Sequence, residues 1–207
     1  MPAEDRAPRA AGAPLAAQGP GARRWEARVI CWDRVGDELV VGVFEQDEIA
    51  LLREYATLFK RLVRQRLDSH EPVELLGVRV GLALPASVVE DERLLALLRH
   101  HLGADADDHE LVRREPECLR AVVDRLDVVL ATLPPEGSGV VVLDDVAQAR
   151  AWLDAGRDVI TVMSAAAGAG GPDTVERTAV TIAWLAELLD RLHDHATREA
   201  DSSAIPW

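Results

Sequence analysis

Apolar residues recur at helical spacing over residues 46–67, where Ile49, Leu52, Ala56, Phe59, Leu62 and Val63 share one stripe. Asp47 and Glu48 stand in the first turn, and Lys60, Arg61, Arg64 and Arg66 crowd the last turns. Acids first and bases last complement the helix dipole, so the pattern predicts a long amphipathic helix. Just before it the period changes to two. Val29, Cys31 and Asp33 alternate with Ile30, Trp32 and Arg34, and Gly36-Asp37 turns the chain into the apolar run Leu39 to Phe44. This predicts a β-hairpin, and two strands alone are only marginally stable, so the hairpin must lie on the helices.

Further along, residues 72–77 (Pro-Val-Glu-Leu-Leu-Gly) read as one helical turn with Pro at its start and Gly past its end. Val78 to Leu84 reads as extended or irregular. Residues 88–102 return to helical patterning through Val89, Leu94, Leu97, Leu98 and Leu102. An acidic loop, Asp105 to Asp108, separates this from a second long helix expected over about Pro116 to Leu133, stopped by Pro134-Pro135. Gly139 to Leu143 is a candidate extra strand. A third long helix is expected from Asp144-Asp145 to about Met163, and a fourth from Asp173 to about Arg198, opened by a capping-box-like Asp173 and Glu176. The expected fold class is mainly α: one domain over residues 25–198 with about four long helices and an N-terminal hairpin.

Composition changes the picture at the ends. Of residues 1–24, fifteen are Ala, Pro or Gly and the only large aliphatic is Leu15, so a disordered tail is expected there. Residues 199–207 read as a flexible polar tail. The chain holds 36 Asp+Glu against 23 Lys+Arg, a net charge of −13, which repels phosphate backbones and disfavours direct nucleic-acid binding. Two cysteines are too few for a stapled secreted scaffold, no apolar run is long enough to span a bilayer, and the N-terminus makes a poor signal peptide. A cytoplasmic location is expected.

Motifs for chemistry are scarce. No dinucleotide fingerprint, phosphate loop or nucleophile elbow occurs, and Gly168-Ala169-Gly170-Gly171 lacks the strand and Lys a phosphate site needs. His100 and His101 precede Asp105, Asp107, Asp108 and His109, but adjacent residues on a helix diverge by about 100° and cannot share a metal. His193 and His195 diverge as well. The acid pairs Asp47-Glu48 and Asp144-Asp145 stand where helix starts favour acids. No catalytic residue, cofactor or metal is assigned. Cys31 in the first strand and Cys118, expected in the first turn of the second long helix, are the redox candidates, with buried structural Cys as the simpler reading of each. Arg61, Arg64 and Trp152 are interaction candidates, as surface or packing elements.

The order of several short segments carries a resemblance. These are Arg24-Trp25, Glu48-Ile49-Ala50-Leu51-Leu52, the run Asp91 to Leu98, Val129 to Pro134, Ala151-Trp152-Leu153 with Arg157-Asp158-Val159, and Trp184-Leu185. Over about residues 24–197 the chain resembles an actinobacterial family of unknown function that includes AosR-like oxidative-stress transcription regulators. The resemblance implies a non-enzymatic regulator that binds a protein, a sigma factor or RNA polymerase, and responds to redox state. The chain departs from the pattern at Asp154-Ala155-Gly156-Arg157-Asp158, and its N-terminal tail has no Cys, which leaves Cys31 and Cys118 as the only thiols. A homodimer is expected. The alternatives are a redox-inert helical adaptor or scaffold and, behind it, a metal-dependent enzyme using the His/Asp loop.

Overall fold

A computed structural model describes residues 31–35, 39–69, 74–75, 78–79, 89–135, 139–168 and 172–197. The expected tails, 1–24 and 199–207, lie outside the described residues. Strands β1 (Cys31–Val35) and β2 (Leu39–Val43) lead into α1 (Gln46–Asp68). After β3 (Glu74–Leu75) and β4 (Val78–Arg79) come α2 (Glu92–Leu102) and α3 (Asp108–Thr132). The order closes with β5 (Val140–Leu143), α4 (Val146–Ala167) and α5 (Pro172–Thr197). The mainly α class holds with a hairpin at the N-terminal side, but the described residues form five helices rather than four.

The extra helix is α2, and its neighbour shows why spacing alone misplaced a boundary. Asp107 caps α3, its carboxylate accepting the Glu110 N–H at 2.8 Å, so the helix begins inside the stretch read as an acidic loop. Pro116 therefore sits in the helix interior, where it removes a backbone bond that a helix start would not need. Burial of Leu111, Glu115 and Leu119 holds the turns on either side of it. Cys118 is consequently well inside α3, away from the helix N-terminus whose dipole would favour its thiolate. The turn expected at 72–77 is also corrected: Glu74 and Leu75 pair antiparallel with Arg79 and Val78, and the two-residue separation of the strands suits a hairpin better than a helix.

The N-terminal hairpin gains the third strand that Gly139 to Leu143 foreshadowed. The sheet order is β1-β2-β5, both pairs antiparallel, with Val43 opposite Cys31 on one side and Val140 on the other. Alternation sends Trp32, Val40, Val141 and Leu143 inward, with Phe44 just beyond β2, and leaves Asp33, Val35, Val43, Val140 and Val142 exposed. Trp32, Phe44 and Trp152 of α4 form an aromatic cluster with ring centroids 5.4–6.5 Å apart. Gly42 makes this possible, because a Cβ there would stand 2.6 Å from the Trp32 ring and 2.7 Å from Phe44.

Helix α4 packs against α2, α3 and α5, and α1 lies along α3. Asp91, Asp107 and Asp145 each cap a helix N-terminus, which absorbs acids that carried no chemical information in the sequence. Arg93 bonds the Asp91 side chain and lowers its carboxyl below the ordinary carboxylate range. Among the described residues, no helix is long and apolar enough to cross a membrane.

Candidate interaction surface

Helices α1 and α3 run antiparallel, and three polar contacts fix their register. The Arg53 guanidinium donates to the carbonyls of Leu133 (3.3 Å) and Pro134 (2.7 Å), Lys60 pairs with Asp127, and Arg66 grips buried Glu115 through two nitrogens at 2.6 and 3.0 Å. The Arg53 contact answers carbonyls left open where α3 stops at Pro134-Pro135, and so pins that segment against α1. Between the two lies a groove of about 470 Å³ along the outer side of α1. Its walls are Ile49, Ala50, Leu58, Pro134 and Pro135, with Arg53, Glu54 and Arg61 at polar positions.

Two of the interaction candidates meet this surface. Arg61 lines the groove, and Arg64 stands exposed one helical turn further along α1. Neither has a partner among the described residues, in contrast to Lys60 and Arg66 on the same helix. Trp152, the third candidate, is buried, and its indole N–H donates to Thr132 Oγ1 at 2.7 Å. It is therefore a packing residue and not part of any surface.

The two cysteines stand on different elements. Cys31 opens β1 opposite Val43, and β1 packs on β2 and α5. Cys118 is half-buried on α3, against the core. Burial, followed by the nearby Asp158 carboxylate, pushes its pKa up to about 11, while Arg125 and Arg114 pull more weakly the other way. At neutral pH Cys118 is a thiol rather than the thiolate that reacts with oxidants.

A cluster that sequence reasoning missed lies beside it. Asp158 of α4 is 1% exposed; Arg125 of α3 donates to one oxygen at 2.8 Å, and His101 of α2 stands 2.7 Å from the other. A carboxylate oxygen only accepts, so the hydrogen between them sits on His101 Nε2. The 3.2 Å approach of Arg125 to that same nitrogen is then a contact and not a second hydrogen bond. One buried carboxylate thus ties three helices together. The sequence held a signal for such sites: Glu115 occupies a position in the apolar series Leu111, Leu119, Val122, and Asp158 adjoins Ala155, Val159 and Val162 on the buried side of α4. His101, weighed as half of an unworkable metal pair, is used here. Among the described residues no group of three or more His, Cys, Asp or Glu could hold a metal ion.

The fold is a mainly helical domain carrying a small antiparallel sheet. The family model for DUF2017, a domain of unknown function, matches residues 27–203, and the chain belongs to that family. No curated protein and no solved structure matches it.

Proposed function

We propose that this chain is a cytoplasmic, non-enzymatic regulatory protein that acts by binding another protein at the α1 groove. The observation that carries the reading is the open groove between α1 and Pro134-Pro135, with Arg61 on its wall, unpaired among the described residues, and Arg64 one turn beyond it. A groove with apolar walls and cations at its rim fits a partner segment of apolar side chains flanked by a carboxylate. The resemblance noted in the sequence names a sigma factor or RNA polymerase as the partner to try first.

Of the two forms this reading takes, the redox-inert one is favoured by Cys118, whose environment keeps it protonated. Binding of purified polymerase and of purified sigma factors to the full chain, measured with and without peroxide, tests both. Leu58→Asp and Arg61→Glu should each weaken binding by about tenfold or more, and peroxide should leave it unchanged. Binding that ignores both groove substitutions, or no binding to either partner, would defeat the reading. Peroxide-dependent binding lost in Cys118→Ser would restore the redox form.

A further inference from the structure

The α1 groove opens apolar walls to water, and the sequence after α5 holds a segment whose chemistry answers them. Within residues 198–207 the apolar run is Ile205-Pro206-Trp207. Glu199 and Asp201 precede it against Arg198, so the segment is acidic on balance. The groove, at about 470 Å³, has the size of a site for a few side chains rather than for a whole folded face. Trp and Ile are the side chains such walls favour. Proline fixes its own φ and biases the residue before it to extended backbone, so Ile205-Pro206 has little freedom to lose on docking.

The last turn of α5 puts the groove within reach. His195 and Ala196 share a cleft with Val40, Asp145 and Val146, at the end of the sheet where Val40 pairs with Leu143. The groove begins at the opposite end, where Gln46 follows β2 and Pro135 precedes β5. From Val40 to Phe44 is about 14 Å at strand spacing, and Gln46 lies two residues further, a gap of roughly 20 Å. The chain from Thr197 to Ile205 spans up to about 27 Å. The segment that precedes Cys31 is the other candidate, since Cys31 pairs with Val43. It carries Arg23, Arg24 and Arg28 against Glu26, towards a wall that already holds Arg53 and Arg61 against Glu54. Charge selects the acidic segment.

We infer that Ile205-Pro206-Trp207 of the same chain occupies the α1 groove, and that a partner has to displace it. The displacement rests on the groove being the partner site, whereas the occupancy does not. A short tether gives an effective concentration on the order of 1 mM. A segment of intrinsic Kd about 0.1 mM then holds the groove most of the time and weakens every competitor about tenfold. The contact sets a threshold for partner binding and covers apolar wall in the meantime.

A fluorescein-labelled peptide of residues 198–207, followed by anisotropy on the full chain without any partner, tests this. The chain carrying Ile205→Ser and Trp207→Ser should bind the peptide about tenfold more tightly than the wild type, whose own segment competes. Adding Leu58→Asp, at a half-exposed groove position, should abolish that binding. If Leu58→Asp loses its circular dichroism, Arg61→Glu replaces it. Equal binding to wild type and tail variant overturns the inference, as does no binding to either, or binding that ignores the groove substitutions. A wild type that blocks the peptide only as its mass doubles in sedimentation assigns the groove to the segment of a second copy, and overturns it too. Polymerase or sigma factor should bind the tail variant about tenfold more tightly than the wild type. If neither binds while the peptide behaves as expected, the partner reading fails and the occupancy stands.

Discussion

Where α2, α3 and α4 meet, a carboxylate that is 1% exposed has both oxygens occupied by side chains from two other helices. On the outer face of the sheet, Val43 is 54% exposed, and no described residue hides it. The two regions invert the usual rule in opposite directions, one by burying charge and the other by displaying hydrocarbon. Burying a charge is costly unless its lone pairs find partners, and here Arg125 and His101 supply them. An exposed valine costs the monomer little and is released from water only when something covers it. The Asp158 cluster is closed by side chains of its own helices, and the outer face of the sheet lies open.

That contrast can be broken at several points, taken here from the largest effect down. Asp158→Ala leaves Arg125 facing a void with its charge uncompensated. It should cost about 3 kcal/mol of unfolding free energy, the low end for a broken buried pair because Arg125 and His101 retain some solvent. Urea unfolding that shows less than about 1 kcal/mol would mean the helices do not rely on this tie. Glu115→Ala, which removes both carboxylate bonds from Arg66, should fall close behind.

Gly156 comes next. It lets α5 approach α4 so closely that an added Cβ would stand 2.5–3.0 Å from three atoms of the Leu189 side chain. Because Leu189 is flexible but buried, Gly156→Ala should destabilise by about 1–2 kcal/mol, although alanine ordinarily favours a helix. A stabilised variant would show that the α4–α5 seam has room to spare.

Cys118 supplies a smaller, pH-dependent effect. Its folded pKa of about 11 lies above the ordinary thiol value, so the unfolded chain loses this proton first as pH rises. The contribution to stability is complete below about pH 9 and is lost as pH climbs through about 11. Cys118→Ala should flatten the decline of the urea midpoint in that window and leave it unchanged near neutrality. At pH 8 the native thiol should alkylate much more slowly than in urea. Equal rates would place Cys118 in a different environment from the one described.

Much of this architecture could be read along the chain. The 3.6-residue stripe of α1, the alternation that sends Trp32 in and Asp33 out, and the short apolar run of β5 each follow from local periodicity. Periodicity failed where a stronger local rule competed. Pro116 looked like a helix start because proline favours one, yet the Asp107 cap and the burial of Leu111 begin the helix earlier. The α1 groove and the Asp158 cluster depend on residues far apart in sequence, such as Arg53 with Pro134 and His101 with Asp158. No spacing rule connects them. The exposure of Arg61 was legible because charged residues in the last turns of an amphipathic helix face water, while the place of Trp152 was not, since the same pattern serves a core and a surface.

The most direct test compares two neighbours of identical chemistry on opposite faces of one strand. Val141 is fully buried against the helices and Val142 is 38% exposed on the outer face. Val141→Thr and Val142→Thr should be measured for urea unfolding. The account predicts that Val141→Thr loses about 1–3 kcal/mol by burying an unpaired hydroxyl. Val142→Thr, whose hydroxyl stays in water, should keep its stability within about 0.5 kcal/mol. Equal losses in both would contradict the division of the sheet into a face packed on the helices and a face open to water.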